Sequence, residues 1–154
     1  MTSAAETKMQ LCNCFALRAA ARHVTQLYDQ LLAPSGLRTT QFAMLARLQR
    51  QGPLTINALA KAMVMDRTTL GRNMLPLARD GLLRIAPTAA DRRAKELHLT
   101  SAGERRLEAA RRGWVRAQER FETVFGAERA TDLRALLRSV VATDFAPAGR
   151  GTQR

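Results

Sequence analysis

From Asp66 to Asp80 the chain reads D-R-T-T-L-G-R-N-M-L-P-L-A-R-D. Arg67, Thr68, Thr69, Arg72 and Asn73 are bunched in the first two turns of what would be a helix. Arginine and asparagine present paired hydrogen-bonding groups that fit the edges of guanine and adenine. Threonine hydroxyls and the backbone N–H groups of a helix start suit phosphate oxygens. Leu70, Met74 and Leu77, spaced by four and three, make an apolar face to dock such a helix on a neighbour. A solvated amphipathic helix shows the same split, so the surroundings must decide.

The surroundings are basic. Between Lys61 and Lys95 eight basic side chains face three acidic ones, a net charge of +5. Three of the eight, Arg92, Arg93 and Lys95, follow Asp91 in a polar stretch between two short alternating segments. Arginines at the tip of a hairpin can enter a narrow minor groove, where negative potential is concentrated. Asp91 is expected to pair with a neighbouring arginine and hold its direction. The whole chain carries +12 over 154 residues. A charge of that size bears on partners: nucleic acid first, an acidic membrane surface second.

Other reactive residues are sparse. Cys12 and Cys14 are two apart, so on a helix they point to different faces and make neither a metal site nor a disulfide within one chain; a disulfide between subunits stays open. His23 and His98 stand alone, without the three or four converging ligands a metal needs. There is no P-loop, no Gly-x-Ser-x-Gly, no zinc motif and no paired acid–base cluster. An enzyme is not expected, nor a cofactor. No apolar run approaches the ~20 residues of a membrane span. The polar start, Met1 to Gln10, lacks a signal peptide's apolar core, so a cytoplasmic protein is expected.

The elements that would hold these residues are mostly helical. Ala, Leu and Arg dominate and aromatics are 5%. Leu11 to Leu32 carries apolar residues at helical spacing and stops at Pro34-Ser35-Gly36. Thr39, Thr55 and Asp66 can cap three further helices. Pro76 removes one backbone bond from the last, and a kink is expected there. After Asp80-Gly81 the period changes to two: Leu83-Arg84-Ile85 and Glu96 to Leu99 make a hairpin around Pro87 to Lys95. Thr100 caps a long helix whose Leu107, Ala110, Trp114, Ala117, Phe121 and Val124 form a heptad seam, and a last helix follows Gly126. The order is four helices, two strands and two helices, a mainly α winged helix-turn-helix. Four segments are expected: residues 1–38 as an N-terminal dimerisation helix, 39–100 as the winged lobe, 101–146 as C-terminal dimerisation helices, and 147–154 as a disordered Gly- and Arg-rich tail.

Asp91-Arg92-Arg93-Ala94-Lys95-Glu96-Leu97-His98-Leu99-Thr100-Ser101-Ala102-Gly103 resembles the wing signature of the MarR family of bacterial transcription regulators, an Asp-x-Arg element leading into Leu-Thr-x-x-Gly. Met65 to Leu70 and Asp80 to Leu83 resemble the ends of the family's recognition helix. The resemblance implies a homodimer joined through the first, fifth and sixth helices, reading a pseudo-palindromic double-stranded operator, commonly as a repressor. It also implies a small aromatic or phenolic effector bound between the dimerisation helices and the DNA-binding lobe. Two readings stand open for Phe42 and Trp114, walls of that pocket and core or dimer packing. Cys14, with Tyr28 and with Arg18 in place of a second tyrosine, resembles the hydroperoxide-sensing branch. Two readings of Cys14 stand open, an oxidised sensor and a small core residue. Two stand open for Arg18 as well, a charge that lowers a thiol pKa and a carboxylate ligand. An effector-independent architectural DNA binder is the alternative for the whole chain.

Overall fold

Cys12 opens the first helix as its cap, its Sγ accepting from the Phe15 N–H at 3.4 Å, so it lies outside the helix and does not share it with Cys14. The computed structural model describes residues 11–146. The polar start and the tail expected to be disordered lie outside the described residues. Helix α1 runs Asn13–Leu32 and ends in a single tight turn over Ala33–Ser35. Helix α2 runs Thr39–Gln51, β1 Leu54–Thr55, α3 Ile56–Ala62 and α4 Arg67–Arg79. Strands β2 (Leu83–Pro87) and β3 (Lys95–Leu99) follow, then α5 (Ser101–Phe125) and α6 (Ala127–Ala142). The predicted order holds, with β1 added. Strand β1 was missed because two residues are too few to show a period. It pairs antiparallel with β3, Leu54 opposite Leu97, so β3 is the centre of a three-stranded sheet ordered β1-β3-β2.

The helix starts follow side-chain chemistry. Thr55 and Asp66 cap α3 and α4 by accepting from the N–H groups of Ala58 (3.1 Å) and Thr69 (2.8 Å). Thr39 is not the cap expected of it. It is the first residue of α2, and its N–H (2.7 Å) and hydroxyl (2.6 Å) both donate to Asp29 of α1. Arg38 adds an ion pair to the same carboxylate at 3.2 Å. Partial burial raises the Asp29 pKa, but the bonds from Thr39 and Arg38 outweigh it and the net shift is downward. A carboxylate supplied by the preceding helix thus joins the local capping by Gln41, whose Oε1 accepts from the Arg38 N–H at 3.0 Å, and that long-range share is one that local sequence does not display.

Pro76 does not end α4. The helix continues through Leu75 and Pro76 to Arg79. The lost bond costs about 3 kcal/mol. Leu70 and Met74 before it and Leu77 after it are all buried, each contributing roughly 1.5–3 kcal/mol. Val64, in the turn before α4, has φ +53°. A β-branched residue there is strained by on the order of 1–3 kcal/mol.

The chain divides into two compact units, residues 1–117 and 118–154. The first has one continuous core, which includes Leu32, Leu45, Leu48, Leu59, Leu70, Leu77, Leu97 and Leu107. Gly103 lies against it so closely that a Cβ would overlap the Leu82 carbonyl oxygen. That is why the Thr-x-x-Gly spacing is built as it is: Thr100 caps α5 through the Gly103 N–H (3.0 Å) and donates its hydroxyl to the Gly81 carbonyl (2.7 Å). Gly113 meets the Leu31 carbonyl in the same way. In the second unit Phe121 and Phe125 pack at 5.2 Å, the Arg129 guanidinium lies 4.3 Å over Phe125, and Arg134 pairs with Glu122 at 2.9 Å. The heptad seam is buried at Leu107, Ala110 and Ala117, whereas Val124 is 72% exposed. Among the described residues no helix is long and apolar enough to cross a membrane.

Candidate nucleic-acid interface

Burial of Leu70, Met74 and Leu77 turns the other face of α4 to solvent. Arg67, Thr68, Thr69 and Arg72 are exposed and Asn73 is half-buried. The five do not stand equally free. Both oxygens of the Asp66 carboxylate are engaged by Thr69, Oδ1 by its N–H and Oδ2 by its hydroxyl at 2.6 Å, and these bonds lower the Asp66 pKa. The Thr69 proton is therefore already committed within the helix start. Asn73 turns its Nδ2 back to the Thr69 carbonyl at 2.9 Å, which commits one of its two N–H donors and leaves its Oδ1 and second N–H. Among the described residues nothing engages the side chains of Arg67, Thr68 or Arg72 by hydrogen bond or ion pair. These three are the readily available groups.

The hairpin projects a second basic group. Strands β2 and β3 pair from Leu83–Leu99 to Pro87–Lys95, and Thr88 closes the loop by donating its N–H to the Ala94 carbonyl at 3.0 Å. Each strand of this wing has a buried leucine, Leu83 on β2 and Leu97 on β3, but Ile85, opposite Leu97, is 36% exposed. Asp91 does not pair with an arginine as expected. Its Oδ1 accepts from the backbone N–H of Arg93 at 2.8 Å. Its own N–H donates to Thr88 Oγ1 at 2.9 Å, and its carbonyl accepts from that hydroxyl at 2.8 Å. A short side chain bonds its own turn more readily than it reaches a long, flexible guanidinium. Asp91 therefore shapes the loop, and Arg92 and Arg93 are left exposed without ion pairs among the described residues. Lys95 is exposed at the base of the wing.

The residues proposed for an effector separate into two places. Phe42 and Trp114 stack at 6.0 Å with an 18° interplanar angle. They line a cavity of about 580 Å³ with Tyr28, Arg47, Gln49 and Arg111. That volume is within the range of small-molecule sites. Arg111 is fixed by Gln49 (3.1 Å) and Glu108 (2.9 Å). Cys14 and Arg18 are exposed on α1 and do not line the cavity. Tyr28 stands 14 positions beyond Cys14 on the same helix, roughly 21 Å along its axis. Within one chain it does not touch the thiol. The reading of Cys14 as a core residue fails for the single chain, because the first turns of α1 cover nothing. Arg47, Gln49 and Arg111 were not singled out from sequence. Arg111 had a signal, lying three residues before Trp114 and so on its face of the helix; Arg47 and Gln49 had none, since α2 alone does not reveal what α5 brings opposite.

Residues 35–94 match a family model described as MarR family. MosR of M. tuberculosis, solved in complex with DNA, is 36% identical with a TM-score of 0.73, over 85% of this chain and 97% of that one. The chain belongs to the MarR family. The fold and the family are those of transcriptional regulators and not of enzymes. Further family-level likeness comes from BadR of Rhodopseudomonas palustris, a transcriptional activatory protein, 28% identical over 120 residues, which are 75% of this chain and 69% of BadR. BpsR of Bordetella bronchiseptica, whose DNA binding is regulated by 6-hydroxynicotinic acid, shares the fold at 23% identity and a TM-score of 0.78, over 86% of this chain and 95% of that one.

Proposed function

We propose that this protein is a homodimeric transcription regulator that binds a pseudo-palindromic double-stranded operator in the cytoplasm and acts as a repressor. Helix α4 enters the major groove, with Arg67, Thr68 and Arg72 as first contacts and Thr69 and Asn73 adjusting behind them. Arg92 and Arg93 enter the neighbouring minor groove, and Lys95 meets the backbone. The observation that carries this reading is the set of four arginines, Arg67, Arg72, Arg92 and Arg93, exposed and unpaired among the described residues on the two projecting elements of one small lobe. Folding gains nothing from such an array, whereas phosphate and base edges do. The DNA complex of MosR supports the same partner.

The effector in this reading is a small aromatic acid held in the cavity against the Phe42–Trp114 stack, its carboxylate near Arg111 or Arg47. The ligand of BpsR supports that class. Cys14 oxidation is the second reading, favoured by an exposed thiol one turn from Arg18.

Operator binding measured by fluorescence anisotropy tests the DNA reading. Arg93→Ala is expected to weaken binding at least several-fold, Arg92→Ala equally or less, each lowering the salt slope by about one. Unchanged affinity in both overturns the wing assignment. Release from the operator is then measured with salicylate, 6-hydroxynicotinate and cumene hydroperoxide, for wild type and Cys14→Ser. Release by an acid in both proteins supports the cavity. Release by peroxide in wild type alone makes Cys14 the sensor. No release by any of them favours the effector-independent architectural binder.

A further inference from the structure

A helix end leaves its last carbonyls without donors from the helix itself. At the end of α3 the Ala62 carbonyl receives one from elsewhere: Arg47 Nη2 lies 3.4 Å from it. Arg47 belongs to α2 and lines the cavity. One half-buried side chain therefore stands in the cavity wall and also holds the last carbonyl before the turn into α4. That turn is the strained one. Val64 keeps φ +53° with its side chain 70% exposed, so packing does not offset the strain. The turn is closed by the Val64 N–H to the Lys61 carbonyl (3.1 Å) and the Met65 N–H to the Ala60 carbonyl (2.9 Å). Asp66, the cap of α4, follows directly. Strained backbone persists only where its surroundings over-determine it, and here the Arg47 guanidinium is one of those surroundings.

We propose that Arg47 is a positioning residue, a latch that keeps the Val64 turn closed and so sets where α4 begins. The proposal rests on α4 being the DNA-reading helix, and it predicts an effect on DNA binding from a residue that does not touch DNA. It also places the cavity wall one side chain away from the start of that helix.

A double-mutant cycle tests it on the full chain, with Arg47→Met, Val64→Gly and the pair. Two quantities are read: amide hydrogen exchange at Val64 and Met65 without DNA, and operator affinity across a range of salt. Arg47→Met is expected to speed exchange at both amides about tenfold and to weaken operator binding roughly three- to tenfold with the salt slope unchanged. Glycine takes a positive φ without strain. Val64→Gly is therefore expected to restore both quantities in the Arg47→Met background, a non-additive cycle. Unchanged exchange in Arg47→Met overturns the latch, as does a strictly additive cycle. A salt slope reduced by about one in Arg47→Met also overturns it, because Arg47 would then be a phosphate contact. Failure of the DNA reading is distinct: wild type would bind no operator while the exchange cycle remained non-additive.

Discussion

Asp91 is the one acid in the loop that presents Arg92 and Arg93, and its charge opposes the phosphate those arginines would meet. Its side chain accepts from the Arg93 N–H through Oδ1, which explains its presence; the two bonds to Thr88 are made by its backbone. Asp91→Ala removes a negative charge and is nevertheless expected to weaken operator binding, by roughly 1 kcal/mol, because the Arg93 N–H loses the acceptor that fixes its place in the loop. Asp91→Asn keeps an acceptor oxygen and is expected to retain most of the affinity. Anisotropy on both variants checks this, and tighter binding by Asp91→Ala would make the acid a mere repulsive charge. At this scale the placement of the candidate residues was legible in the sequence: Arg67 and Arg72 are exposed on α4, and Arg92 and Arg93 in the wing loop. Their hydrogen-bonding states were not. The turn of Asn73 back to Thr69, and of Asp91 to a backbone N–H instead of a guanidinium, depend on local geometry that a residue type does not state.

The helices and the wing were legible for the same reason, since each has a period longer than its noise. Thr55, Asp66 and Thr100 cap as their types suggest. What stayed hidden was what distant segments do to one another: Asp29 joining the capping of α2, Leu54 pairing with Leu97, and the anchored apolar face that carries α4 through Pro76. Gly103 belongs here too. Its need for a bare Cα comes from the Leu82 carbonyl, 21 positions away in the sequence. Gly103→Ala is expected to lower stability by about 1–3 kcal/mol, since a rigid carbonyl does not yield as a flexible side chain would. Urea denaturation checks the size. A change below about 0.5 kcal/mol would mean that α5 can shift away from Leu82, just before β2, at little cost.

For the molecule as a whole, large apolar residues stand exposed near both ends of the described chain. Leu11 (77%) and Phe15 (54%) open α1, and Leu136, Val141 and Phe145 are 64%, 64% and 76% exposed at the other end. Apolar exposure of this kind on each element suits an interface, and the proposed dimer supplies one. Leu136→Asp combined with Val141→Asp is expected to shift sedimentation from dimer to monomer while helical content is kept, because neither side chain packs in the core. Operator affinity would then fall to that of a half-site. A protein that remains dimeric after both changes places its interface elsewhere. Strand β3 carries a further consequence. It is held on one side by the residues leading into α3 and on the other by the wing. The residues leading into α3 and the hairpin are thereby joined through one strand, and α4 packs against β2 of the same sheet. Such a chain can acquire a new preferred sequence by exchanging single side chains, but the interval between the grooves it grips is a property of the backbone. Descendants of this protein are expected to differ in the letters they read far sooner than in the spacing at which they read them.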